Sequence, residues 1–191
     1  MKSSNRYSMG LNRIALAFAV LFSMRTLPAM SQAISTAGYS GVSLSAGTTF
    51  SGYQADYSKR YLGGYSIYAD VDRTNHLGLE FEARVLRMNQ EVGTHETTFL
   101  IGPRYNFRRN WFTPYAKILV GIGQFHYPYN YAEGSYLALA AGGGVDVPIG
   151  KTKFAVRAID FEYQSWPNFS FGGLDPYGIS AGVSYNIFKP E

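Results

Sequence analysis

The stretch His76–Arg87, HLGLEFEARVLR, constrains the fold more than any other. Leu77, Leu79, Phe81, Ala83 and Val85 share one parity, and Gly78, Glu80, Glu82, Arg84 and Leu86 share the other. A period of two means a β-strand whose side chains point alternately to opposite faces. A helix would set Glu80 and Glu82 about 200° apart and scatter the charges around its circumference. The pattern lasts roughly ten residues, the length of a tilted strand that crosses a bilayer. A soluble sandwich would turn the apolar face inward. Which face is outermost has to come from the remainder of the chain.

The chain of 191 residues opens on a segment of another kind. Lys2, Arg6 and Arg13 precede the apolar run Ile14–Phe22, and small residues follow at Ser31 and Ala33. A basic start, a short apolar run and a small-x-small end predict a secretory signal peptide over residues 1–33, cut after Ala33. Residues 34–191 then form the mature domain. The cut removes Lys2, Arg6, Arg13 and Arg25 and no acidic residue, which brings the 17 basic residues level with the 13 acidic ones. The formal charge of +4 belongs to the precursor, and a nucleic-acid partner loses its electrostatic basis.

There is no cysteine, so an exported domain of this size has to hold together without disulfides, and Cys-ligated metal is excluded. Tyrosine (16), phenylalanine (13) and glycine (21) are abundant instead. Aromatics suit strands and membrane–water interfaces, and glycine suits crowded, tilted strands. No mature segment has about twenty consecutive apolar residues, so a membrane reading requires a barrel.

Alternation recurs over Val42–Phe50, Gly64–Val71, Thr98–Phe107, Ala116–Gly123, Tyr136–Val147, from Phe154, and over Tyr177–Ile187. With the opening stretch this predicts eight strands in up-and-down order. Pro103 lacks an N–H and predicts a bulge in the fourth strand. The apolar parity changes between Ala158 and Ile159, which predicts a second bulge in the seventh. The connections read as alternately long and short, the pattern of a barrel whose tight turns share one end. The expected fold is therefore all-β, an eight-stranded antiparallel transmembrane β-barrel. Its apolar parity faces lipid, and Glu80, Glu82, Arg84, Arg104, Lys117 and Asp146 face inward. The bulge would bring Arg157, Asp160 and Glu162 into the same network. An eight-stranded barrel is only wide enough for side chains to fill, and charges buried there have to pair. A soluble ligand-binding barrel with its bulky set inside is the alternative.

Four stretches carry a family likeness: LIGPRYNF (Leu100–Phe107), FTPYAKILVGIG (Phe112–Gly123), AAGGGVDVPIG (Ala140–Gly150) and ISAGVSYNIF (Ile179–Phe188). Through them the sequence resembles the bacterial outer-membrane β-barrel domain family, the small eight-stranded, opacity-type surface proteins. The resemblance implies an outer-membrane location, contact with outer-membrane lipid and passage through the barrel-assembly machinery. It also implies an assembly signal at Gly182, Tyr185, Ile187 and Phe188, from which the chain departs by continuing to Lys189, Pro190 and Glu191. It says little about activity, because one fold hosts many functions.

Chemistry-bearing residues are few. His76, His95 and His126 are far apart and fall in different connections. No serine stands beside a histidine as a lipid-modifying enzyme would need, so neither catalytic residues nor a metal or other cofactor is expected. Tyr127, Tyr129 and Tyr131, with Trp166, Phe169 and Phe171, are candidates for contact at the outer loops, against their service as an interfacial girdle. The functional expectation is a structural or adhesin-like surface protein with a charge-filled lumen and an extracellular partner of unspecified chemistry. A narrow channel and a lipid-modifying enzyme are the alternatives.

Overall fold

The computed structural model describes residues 41–55, 61–73, 76–87, 95–126, 133–169 and 172–188. The expected leader and its cut lie outside them, as do Tyr127, Tyr129, Tyr131 and Phe171. Eight strands follow in order: β1 (Ser43–Gln54), β2 (Tyr61–Asp72), β3 (Leu77–Arg87), β4 (His95–Asn106), β5 (Thr113–His126), β6 (Glu133–Pro148), β7 (Phe154–Ser165) and β8 (Tyr177–Phe188). Each pairs antiparallel with its sequence neighbour, and β8 pairs back onto β1 to close the barrel. Closure leaves no open edge, the condition for a sheet to cross lipid.

The two faces are inverted relative to a water-soluble fold. Ile67, Leu79, Phe81, Ile101, Ile118, Val120, Ile122, Leu139 and Ile179 all stand exposed on the outer wall. Aromatics flank this apolar band at both ends, with Tyr61, Tyr65, Tyr163 and Tyr177 at one and Tyr105, Phe107, Phe154, Tyr185 and Phe188 at the other. Such girdles sit where hydrocarbon meets headgroups. The inward parity is buried and carries the polar side chains Ser51, Ser66, Glu80, Glu82, Arg84, Arg104, Lys117 and Ser180 among leucines.

The expected bulge in β7 is present. The pairing shifts between Arg157 and Asp160 against β8 and between Val145 and Asp146 against β6. Ala158 and Ile159 both face out, so Arg157 and Asp160 both face in. The bulge expected at Pro103 is absent. Ile101↔Val120 and Arg104↔Lys117 lie in one register, and only the two pairs between them are missing. On the β3 side, Leu79↔Pro103 sits within an unbroken run. The missing N–H therefore lies on the β5 side, where it interrupts the ladder locally without adding a residue.

The sorting of connections is also weaker than expected. The turns 73–76, 107–112 and 149–153 share one end, where Arg109 N–H donates to the Phe112 carbonyl (3.0 Å) and Gly150 takes a φ of 57°. Yet 107–112 is as long as 127–132 at the other end. Several strands extend past their apolar alternation, as β1 does to Gln54 and β5 to His126, and this shortens the outer connections.

Candidate functional site: the charged lumen

Alternation on β3 stacks Glu80, Glu82, Arg84 and Leu86 up the inner wall, and neighbouring strands meet them at matching heights. Lys117 of β5 lies at the centre with a wholly buried side chain. Its Nζ is 2.8 Å from Glu80 Oε1, 2.8 Å from Asp160 Oδ2, 3.0 Å from Glu162 Oε2 and 3.4 Å from Glu82 Oε2. Oxygens of Glu80, Glu82 and Asp160 converge closely enough to hold a cation. The protein's own ammonium fills that position, so the cluster reads as an ion-paired core rather than a metal centre.

Toward the turn-bearing end, two guanidiniums knit the carboxylates together. Arg104 Nη1 lies 2.5 Å from Asp70 Oδ2 and 3.1 Å from Glu80 Oε2, and Nη2 bonds Asp146. Arg157 reaches Asp70 at 3.0 Å, Asp146 at 3.2 Å and Glu80 at 3.4 Å. Arg104 also stacks over the Tyr115 ring at 3.8 Å, and Arg157 over Tyr68 at 3.6 Å. Buried cation–π contacts of this kind are worth about 2 kcal/mol each when desolvated. A polar vestibule of about 280 Å³, lined by Asp70, Asp72, Arg104, Asn106, Arg108 and Asp146 among others, opens below them.

Toward the other end, Arg84 pairs with Glu162 (2.7 Å) and Glu82 (2.8 Å) and bonds the Tyr53 hydroxyl. Gln164 Nε2 donates to Glu162 (2.8 Å), and Trp166 Nε1 donates to the Gln164 side-chain oxygen (2.9 Å). Above this lies an apolar cluster of Phe125, Trp166, Phe169 and Leu174, with Tyr136 packed against it. Gly123 makes room for it, because a Cβ there would enter the Trp166 indole.

All nine residues expected in the inner network, Glu80, Glu82, Arg84, Arg104, Lys117, Asp146, Arg157, Asp160 and Glu162, lie in this one assembly. Trp166 and Phe169 require a correction: both are buried, at 0% and 6% exposure, and are not offered for contact. The turn that follows β7 folds back through a Trp166–Leu174 bridge, which takes both rings into the lumen mouth. In β8, Gly182 packs on the Thr48 carbonyl, whereas Tyr185, Ile187 and Phe188 face outward.

Sequence reasoning missed Asp70, Glu96, Tyr53, Tyr68, Tyr115 and Gln164 as members. Asp70 and Tyr68 share the inward parity of Ser66, so the signal was present. Glu96 is buried near Arg84's end of the lumen, and neither carboxylate oxygen has a hydrogen bond among the described residues. Two of the histidines fall in strands rather than in connections. His95 begins β4 and His126 ends β5, so both are strand residues, while His76 sits at the opposite end with its Nδ1 3.0 Å from the Asn106 carbonyl.

A closed antiparallel barrel, apolar outside, girdled by aromatics and ion-paired within, defines an integral outer-membrane barrel protein. The family profile for the outer membrane protein beta-barrel domain matches residues 14–186, and the chain belongs to that family. Among solved structures it is similar to Neisserial surface protein A, NspA, with 15% identity, a TM-score of 0.57, and 78% of this chain and 98% of that one covered. The N-terminal β-barrel domain of Pseudomonas aeruginosa OprF matches with 15% identity, a TM-score of 0.51, and 75% and 97% covered. OprG from the same organism matches with 12% identity, a TM-score of 0.51, and 78% and 97% covered. These likenesses concern the fold alone. Comparison with curated protein sequences finds no match.

Proposed function

We propose that this outer-membrane protein is a structural and surface-interacting barrel whose lumen is closed by its charge network. The observation that carries the closure is Lys117, wholly buried and held by four carboxylates from β3 and β7. Arg104 and Arg157 lie on one side of it and Arg84 on the other, each paired, and the Trp166–Phe169 cluster covers one mouth. An ion crossing this barrel would have to displace several buried pairs at once, and each broken pair leaves an uncompensated charge.

Single-channel recording in a planar bilayer tests the closure. Purified protein should give no stepwise conductance above the bare membrane. Reproducible unitary steps would replace this reading with that of a narrow channel. The surface-interacting part rests on Tyr127, Tyr129 and Tyr131, aromatic side chains that supply contact area at low entropic cost. Replacing all three with serine should reduce attachment of cells displaying the protein while leaving its abundance in the outer membrane unchanged. The reading includes no catalytic step and requires no cofactor.

A further inference from the structure

Two histidines 31 positions apart in the chain meet at the rim opposite the short turns. His95 and His126 are register partners across the β4–β5 ladder, and their rings lie 4.9 Å apart with a 29° tilt. The next strand continues the row, because Glu133 is the register partner of His126. One step down the wall lies a second row, Thr97, Gln124 and Ser135, also in register. His95, His126, Thr97, Gln124 and Ser135 line one rim pocket of about 260 Å³.

We propose that His95 and His126 form a binding site for a divalent transition-metal ion on the outer wall of the barrel. Three features support it. Imidazole nitrogen is the ligand preferred by Zn²⁺, Cu²⁺ and Ni²⁺, whereas Mg²⁺ and Ca²⁺ prefer oxygen. Metal–nitrogen bonds of about 2.0–2.1 Å at a tetrahedral angle put the two nitrogens roughly 3.3 Å apart. The two rings already lie side by side at 4.9 Å on register-paired backbone, the approach that a shared ion requires. Finally, the polar row Thr97, Gln124 and Ser135 below gives the ion an environment that Ile122 or Leu137, further down the same wall, would not. The site is independent of whether the lumen conducts.

The test uses tag-free protein, folded in detergent and shown to be folded by its mobility shift on boiling. Zn²⁺ titrated calorimetrically should bind with one equivalent per barrel, and Mg²⁺ should give no heat. His95→Ala and His126→Ala should each weaken Zn²⁺ binding by roughly tenfold or more, since losing even the hydrogen-bond partner of a metal ligand costs about 10–100-fold. His76→Ala, at the opposite end, should leave it unchanged. Cu²⁺ loaded on the wild type should show nitrogen hyperfine structure in its spin-resonance spectrum, lost in the double variant. No Zn²⁺ binding by the wild type, or binding that survives in the folded double variant, would overturn the site.

Discussion

The Arg84–Glu162 ion pair, 2.7 Å long, joins β3 to β7, strands that lie four places apart around an eight-membered ring and so face each other across the full lumen. Every strand pairing in the barrel joins neighbours; this bond joins opposites. It acts as a cross-brace, and its removal should be felt by the whole wall. Arg84→Ala is expected to lower unfolding free energy by about 3 kcal/mol, the low end for breaking a buried pair, because Lys117 still faces Glu162 and Glu82. Urea titration in detergent, combined with Glu162→Gln in a double-mutant cycle, measures it. A coupling energy between about 0.5 and 3 kcal/mol is expected for residues in direct contact. Strict additivity would deny the brace.

Lys117 gives a sharper test because four carboxylates converge on its one charge. Lys117→Met should fold poorly or lose stability by several kcal/mol, on the order of a broken buried pair. Neutralising a partner in the same chain, as in Lys117→Met with Glu80→Gln, should recover part of that loss. The fraction of chain that migrates fast without boiling reports both. Failure of the second change to help would mean that packing, and not charge, sets the cost.

Trp166 is wholly buried, and the other tryptophan, Trp111, is 70% exposed. In a Trp111→Phe background, fluorescence should therefore come from a protected indole, blue-shifted and poorly quenched by iodide. Gly123→Val should move that indole, red-shift the emission and cost about 1–3 kcal/mol through overpacking.

The face assignment predicts a depth dependence. Ile118→Lys, at an outward position that is 68% exposed in the middle of β5, should cost about 2–4 kcal/mol in lipid. Gln124→Lys, six residues on and at the rim, should cost roughly 0–1 kcal/mol. Equal effects at the two positions would mean that the apolar wall does not face hydrocarbon.

Strand number, order and facing were readable because lipid demands an unbroken apolar parity, and Leu79, Phe81 and Ile118 supply it. The nine inward charges were readable for the same reason, once Ala158 and Ile159 revealed the change of phase. Strand ends were harder to read. Ser51–Gln54 and Gln124–His126 continue their strands above the apolar band, where outward residues carry no penalty for being polar, so alternation stops marking the strand. Tyr53 was lost in that way, and so was the meeting of His95 with His126, which only the register of β4 on β5 creates. Trp166 and Phe169 misled for a different reason. An aromatic in a long connection carries no parity, and nothing in the sequence states that the turn folds back over the lumen mouth.

The ladder between β1 and β8 joins the first described strand to the last. Ser51 and Ser180, whose hydroxyls lie 2.8 Å apart, are separated by 129 positions. The ring thus has no stable partial form: until the final strand arrives, β1 and its neighbours are an open ribbon with two unsatisfied edges in or beside lipid. A chain cut short anywhere before Tyr177 cannot be a smaller version of this protein. Docking of β8 on β1 is thus the single event that turns a ribbon into a barrel.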